Sequence, residues 1–150
     1  MKITICGSTA FIDEMEEVSK KLEFLGHEVK FPPVKVIDKN GKELWTRDYY
    51  KMKKATPLDD PEFWKTHTSR IRSHFDKVAW SEAVLITNYD KNNISYYIGP
   101  NTLMEMGVAF HLNKAIFLLN PVPDIAWKEE ILGMRPIILK GDLNAIYSLL

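Results

Sequence analysis

The sequence is poor in several things whose scarcity narrows what it can do. It holds one cysteine, Cys6, in 150 residues. No intramolecular disulfide can form, CxxC zinc motifs are excluded, and a reducing, cytoplasmic setting is expected. The longest apolar run, Ala115 to Leu119, is far short of the ~20 residues of a membrane span, so no membrane partner is expected. Met1-Lys2-Ile3-Thr4-Ile5-Cys6 reads as a strand and not as a secretory leader. Neither sign of charge is in excess: 20 Lys+Arg meet 20 Asp+Glu. The basic surplus of a nucleic-acid polymer binder is missing, and no such partner is expected. Glycine is scarce, at seven residues, and neither GxGxxG nor GxxxxGK[ST] occurs. Four histidines without an HxxxH or HExxH pair offer no metal motif, so no metal and no cofactor is expected.

What remains is ordinary for a globular chain, with 45% hydrophobic and 27% charged residues, and the length fits a single domain over residues 1–150. Apolar runs at Ile3–Cys6, His27–Phe31, Ala83–Thr87, Ala115–Leu119 and Pro136–Leu139 read as five strands. Between them, helical periodicity marks Phe11–Leu25, Trp64–Trp80 and Gly99–Leu112. A short helix is expected at Trp127–Leu132, and a final one from Asp142 to about Leu149. Strands alternating with helices predict an α/β, flavodoxin-like (Rossmann-like) three-layer sandwich. Its parallel five-stranded sheet would have the order 2-1-3-4-5. Residues 34–66 break the pattern. They are irregular and polar, with a helical stretch near Leu44–Lys54, and read as a lid-like insertion. The aromatics Trp45, Tyr49, Tyr50, Phe63 and Trp64 in this segment predict a homodimer or larger homo-oligomer.

In a sheet of this order ligands bind beyond the carboxyl ends of the strands, between the first and third. The segments that reach this point carry the candidate binding residues Gly7, Ser8, Thr9, Asn88, Gly99, Asn101 and Thr102. Ser8 or Thr9 at a helix start can hold an anion or a sugar hydroxyl, or cap the helix. Cys6 precedes that helix as a phosphatase nucleophile would, but the Arg such an enzyme needs six residues later is Ile12, so Cys6 reads as a buried structural residue. Between Lys91 and Lys114 the only acidic residue is Glu105. It falls in the expected first turn of a helix apolar nearly all round, hence buried on most sides. A carboxylate there must be capped, paired or used. Thr102-x-x-Glu105 fits a capping box, and a carboxylate aimed into the cleft is the other reading.

The stretch Asn101-Thr102-Leu103-Met104-Glu105-Met106-Gly107-Val108-Ala109 resembles the G-T-x-x-E-x-G-x-A signature of nucleoside 2-deoxyribosyltransferases and the related deoxynucleoside-monophosphate N-glycosidases. Gly7-Ser8, Glu82 to Ile86 and Asn113 to Leu119 extend the resemblance along the topology. It implies that Glu105 is a nucleophile toward C1′ of a nucleoside or nucleoside 5′-monophosphate. Asn101 replaces the first Gly of the signature. His74 stands near the place of a substrate-contacting Asp of that family, with Asp76 two residues on, so His74, Asp76 and Asp90 are the candidates for protonating the departing base. The expected activity is cleavage or exchange of an N-glycosidic bond, hydrolysis being somewhat favoured over transfer. A non-catalytic nucleotide sensor and a glycohydrolase of NAD-type nucleotides are the alternatives.

Overall fold

The computed structural model describes residues 1–148. A parallel sheet is built from β1 (Lys2–Cys6), β2 (Glu28–Lys30), β5 (Ala83–Ile86), β6 (Ala115–Leu118) and β7 (Ile137–Ile138), in the order β2-β1-β5-β6-β7. This is the expected 2-1-3-4-5 arrangement, with β1 one residue longer than expected and each of the other four strands trimmed by a residue or two. The register pairs Cys6 with Ile86 and Ile86 with Leu118, so the strands end level along one edge. The three central strands are buried on both faces, as parallel strands between helix layers must be.

Side-chain alternation along β1 assigns the two cores. Ile3 and Ile5 point to the face covered by α1 (Ile12–Phe24), where Met15, Val18 and Leu22 fall at helical spacing. Cys6 points to the opposite face, covered by α3 (Pro61–Trp80), α4 (Pro100–His111) and α5 (Lys128–Gly133), where it meets Val78, Met106 and Ala109. Thr4, also buried, donates its hydroxyl to the Lys77 carbonyl at 2.7 Å and ties β1 to α3. The final segment is a 3-10 turn, Leu143–Tyr147, capped by the Asp142 side chain, where an α-helix was expected. Leu149 lies outside the described residues. Among the described residues, no helix is long and apolar enough to cross a membrane.

Residues 34–66 are more ordered than their composition predicts. β3 (Lys35–Ile37) and β4 (Glu43–Trp45) pair as an antiparallel hairpin around Asn40-Gly41, and α2 (Thr46–Ala55) follows at once. Asp60 caps α3 by accepting from the Phe63 amide, and Pro61 opens that helix, which therefore starts three residues before Trp64. The aromatics of this segment pack on one another. Tyr49 stacks on Phe63 at 5.6 Å, and Trp64 and His67 close the cluster. Tyr49 and Phe63 are buried and only Trp45 is half exposed. The aromatic argument for a subunit contact is therefore weakened, because most of these rings are covered within the chain.

Gly7 ends β1 where the chain turns over the strand edge. A Cβ there would lie 2.5 Å from Thr87 Oγ1 and 2.7 Å from the Met15 methyl. The Thr87 hydroxyl is held by its bond to the Cys6 carbonyl and cannot yield freely. Gly7→Ala is expected to destabilise the protein by about 1–3 kcal/mol through overpacking. A denaturant midpoint equal to wild type would show that the turn relaxes instead.

Candidate active site

A cavity of about 870 Å³ opens at the carboxyl edge of β1 and β5. Its walls come from the Gly7–Ala10 turn, from α2 with the hairpin, from one face of α3, and from the start of α4. Of the residues expected to form the site, Gly7, Ser8, Thr9, His74, Gly99, Asn101, Thr102 and Glu105 all line it.

Asp76, Asn88 and Asp90 do not. Asp76 is exposed, because two residues along a helix from His74 turn it about 200° away. Asn88 is fully buried and spends its side chain on structure. Its amide donates to the carbonyls of Asn120 and Pro121, and its oxygen accepts from the Asn120 amide, clamping the ends of β5 and β6 together. Asp90 accepts from the Tyr96 amide and shapes its own loop.

Among the described residues, Glu105 is the one carboxylate that lines the cavity. α4 begins at Pro100 with Gly99 as its cap, and no side chain makes a cap hydrogen bond. Glu105 is therefore in the second turn and not the first, and the capping-box reading fails. Proline at the first helical position moves the start upstream of Thr102, which lies inside the helix and is buried. Nor is the helix buried on most sides, since Met104, at the cavity wall, and Phe110 are both exposed.

The Glu105 side chain is only 13% exposed. Its Oε1 lies 3.6 Å from His74 Nε2, and its other oxygen has no hydrogen-bond partner. The Cys6 thiol approaches from β1. Burial pushes the Glu105 carboxyl up to about 8, against smaller opposing effects of the Cys6 thiol and the Lys77 ammonium. Burial, helped by Lys77, holds His74 down at about 4. At neutral pH the pair is thus mainly a protonated carboxyl beside a neutral imidazole. Burial raises the Cys6 thiol as well, reinforced by Glu105. This is a carboxyl held near its point of ionisation, the condition a catalytic group needs.

Around this one acid the cavity wall is cationic. On α3, Arg70, His74 and Lys77 follow at helical spacing and share the cavity face. Lys77 donates to the Phe31 carbonyl at 2.9 Å. Arg70 lies over the Tyr49 ring at 3.5 Å and donates to the Ile37 carbonyl, while a second guanidinium nitrogen is buried without a partner. From α2 come Lys51, Lys53 and Lys54. Arg47 also lines the cavity but is tied to Asp13 of α1, so its charge is already partnered.

Lys91 was not singled out by the sequence. Its ammonium donates to Ser8 Oγ at 2.7 Å and sits 5.2 Å from the centre of the Tyr97 ring. Burial lowers its basicity, and the charge of Lys54 lowers it further. The loop that aims Lys91 inward is tightly wound, with Asn92, Asn93 and Tyr96 at positive φ. Its place just after the third sheet strand in chain order was the one signal that could have found it.

No family model matches the sequence, and no curated protein matches it. Among solved structures, a 2-deoxyribosyltransferase from the psychrotolerant bacterium Bacillus psychrosaccharolyticus superposes with a TM-score of 0.50 at 16% identity, over 79% of this chain and 71% of that one. The chain shares the fold of that neighbour. A CMP N-glycosidase, BcmB, from Clostridium botulinum matches with a TM-score of 0.47 at 15% identity, over 92% of this chain and 85% of that one.

The buried carboxyl has a consequence for stability. A carboxyl raised from 4.5 to about 8 keeps its proton in the folded state while the unfolded chain releases it, so stability falls as pH rises through that interval and is level above it. His74, lowered to about 4, acts oppositely and costs stability as pH falls below 6.5. The groups facing Glu105 are Cys6 from β1, His74 and Lys77 from α3, and Tyr50 from α2. Wild type is expected to lose a few kcal/mol relative to Glu105→Gln between about pH 5 and 8. Parallel stability curves for the two proteins over that range would show that the carboxyl is already ionised.

Proposed function

We propose that the protein cleaves or exchanges the N-glycosidic bond of a nucleoside or nucleoside 5′-monophosphate, with Glu105 as the nucleophile. The observation that carries this reading is Glu105 itself: one buried carboxyl, without a capping role, in a cavity whose other charged residues are cations. Breaking a glycosidic bond builds positive charge on C1′ and the ring oxygen, and a carboxylate below the sugar stabilises that charge and can trap it covalently. The 2-deoxyribosyltransferase activity named for the structural neighbour is chemistry of this kind.

In the proposed sequence the positive charge that develops at C1′ draws the Glu105 proton onto His74, the one sequence-predicted acid–base partner that lines the cavity. A carboxylate oxygen then bonds to C1′ as the C1′–N bond breaks, and its electron pair leaves with the base. The His74 imidazolium returns the proton to that base. Water, or a second base, displaces Glu105 from C1′; with water, the sugar gains a hydroxyl and one proton returns to the Glu105–His74 pair. Ser8 and Asn101 position sugar or phosphate oxygens. Lys53, Lys54, Arg70 and Lys91 favour a substrate that carries phosphate, which would relieve their mutual repulsion. This favours a nucleotide, and with it hydrolysis over transfer.

A panel of nucleosides, monophosphates and NAD, read by chromatographic release of free base, tests the activity. Glu105→Gln is expected to lose at least about 10²-fold in rate with its fold intact. Undiminished turnover would remove Glu105 from the chemistry, and ligand binding without base release would support a sensor. The lid reading of residues 34–66 makes a separate prediction. Hydrogen exchange in Thr46–Ala55 should slow more with a substrate monophosphate than with its nucleoside. Equal protection would show that the lysines do not read phosphate, and none would end the lid proposal.

A further inference from the structure

Three side chains far apart in sequence converge at the floor of the cavity. One ligand atom each from Cys6, His74 and Glu105 lies within 4.8 Å of the other two. They come from β1, α3 and α4, so the fold and not a local motif assembles them. Cys6 is fully buried and His74 is 9% exposed. His74 Nε2 and one Glu105 oxygen are buried with no hydrogen-bond partner, and the thiol makes a long 4.0 Å contact to the Thr4 carbonyl and otherwise faces Glu105. Three potential ligand atoms whose partners are at most one another and one weak carbonyl contact are unusual in a protein interior, where polar groups are nearly always paired.

We propose that this trio binds a thiophilic divalent cation of the Zn²⁺ class. A thiolate, an imidazole nitrogen and a carboxylate oxygen are the donors such ions favour. Bonds of about 2.0–2.3 Å place neighbouring ligands of a tetrahedral ion roughly 3.2–3.8 Å apart. The His74–Glu105 pair, at 3.6 Å, is already at that spacing, and Cys6 closes the rest by a small side-chain shift. On binding, the thiol and the carboxyl each release a proton to solvent while the imidazole gives its lone pair, so two anionic ligands offset the charge of the ion. His74 and Glu105 face the cavity, which leaves the fourth position open to water. Lys77 is the nearby cation that opposes the ion, and its ammonium is committed to the Phe31 carbonyl.

The ion would occupy Glu105 and so inhibit the glycosidic reaction, but binding itself does not depend on that reading. Co²⁺ titrated into the full chain is the direct probe. A near-ultraviolet thiolate-to-metal charge-transfer band with visible tetrahedral bands should appear, saturate at one equivalent, and be bleached by Zn²⁺. Cys6→Ser should abolish the charge-transfer band. His74→Gln should keep it but weaken binding by about 10-fold or more. The two variants are independent, so a folding failure in one, seen by circular dichroism, leaves the other to decide. Absence of the band in wild type, or its persistence in Cys6→Ser, would overturn the proposal. If metal binds but no panel substrate releases base, the site stands and the glycosidase reading fails; base release unaffected by saturating Zn²⁺ would place the ion away from Glu105 and sink the proposal.

Discussion

A carboxyl group removed from water without a full set of hydrogen bonds sets the terms for the rest of this molecule. Burying an ionised carboxylate is costly, and a protein normally avoids the cost by pairing it or by keeping its proton. Glu105 does the second. Its neighbours are a thiol and an imidazole that are themselves pushed toward neutrality by burial, so the floor of the cavity holds its charges in reserve. Any process that brings positive charge to this floor, whether a developing oxocarbenium or a metal ion, draws the carboxylate out.

The scaffold makes that arrangement affordable. The sheet is buried on both faces through its central strands, and its register ends β1, β5 and β6 level, giving α4 and α3 a firm platform. The Thr4 hydroxyl, the Asn88 clamp and the Lys77 ammonium then fix the strand ends, the loops and α3 by bonds to backbone carbonyls. Each is a polar side chain spent on the frame and not on chemistry. Rigid support of this kind keeps a reactive pair such as Glu105 and His74 at a defined spacing.

Above the floor, the segment between the second sheet strand and α3 contributes a small aromatic core of its own and a row of lysines toward the cavity. Stacking Tyr49 and Phe63 inside the segment gives α2 a reason to fold where its polar sequence gives little. The Arg47–Asp13 ion pair joins it to α1. Cations left without acidic partners at the mouth, and one acid at the floor, make a cavity polarised along its depth.

Much of the fold was legible in the sequence, because the signals involved are local. Periods of 2 and 3.6, and turns at Gly and Pro, depend on neighbours a few residues apart, and they placed five strands and three principal helices in the observed order. Glu105 stood out for the same reason, as the one acid in an otherwise uncharged stretch. The tertiary structure decided the rest. Asp76 and His74 differ by two residues yet face opposite ways on α3, and Asn88 proved to be a clamp because its partners lie more than thirty residues away. Lys91 entered the site because a loop with three left-handed residues turns it inward. Cys6 read correctly as a buried residue, but its company with His74 and Glu105 depends on three elements packing together. Local pattern tells which residues are buried; only packing tells which of them meet.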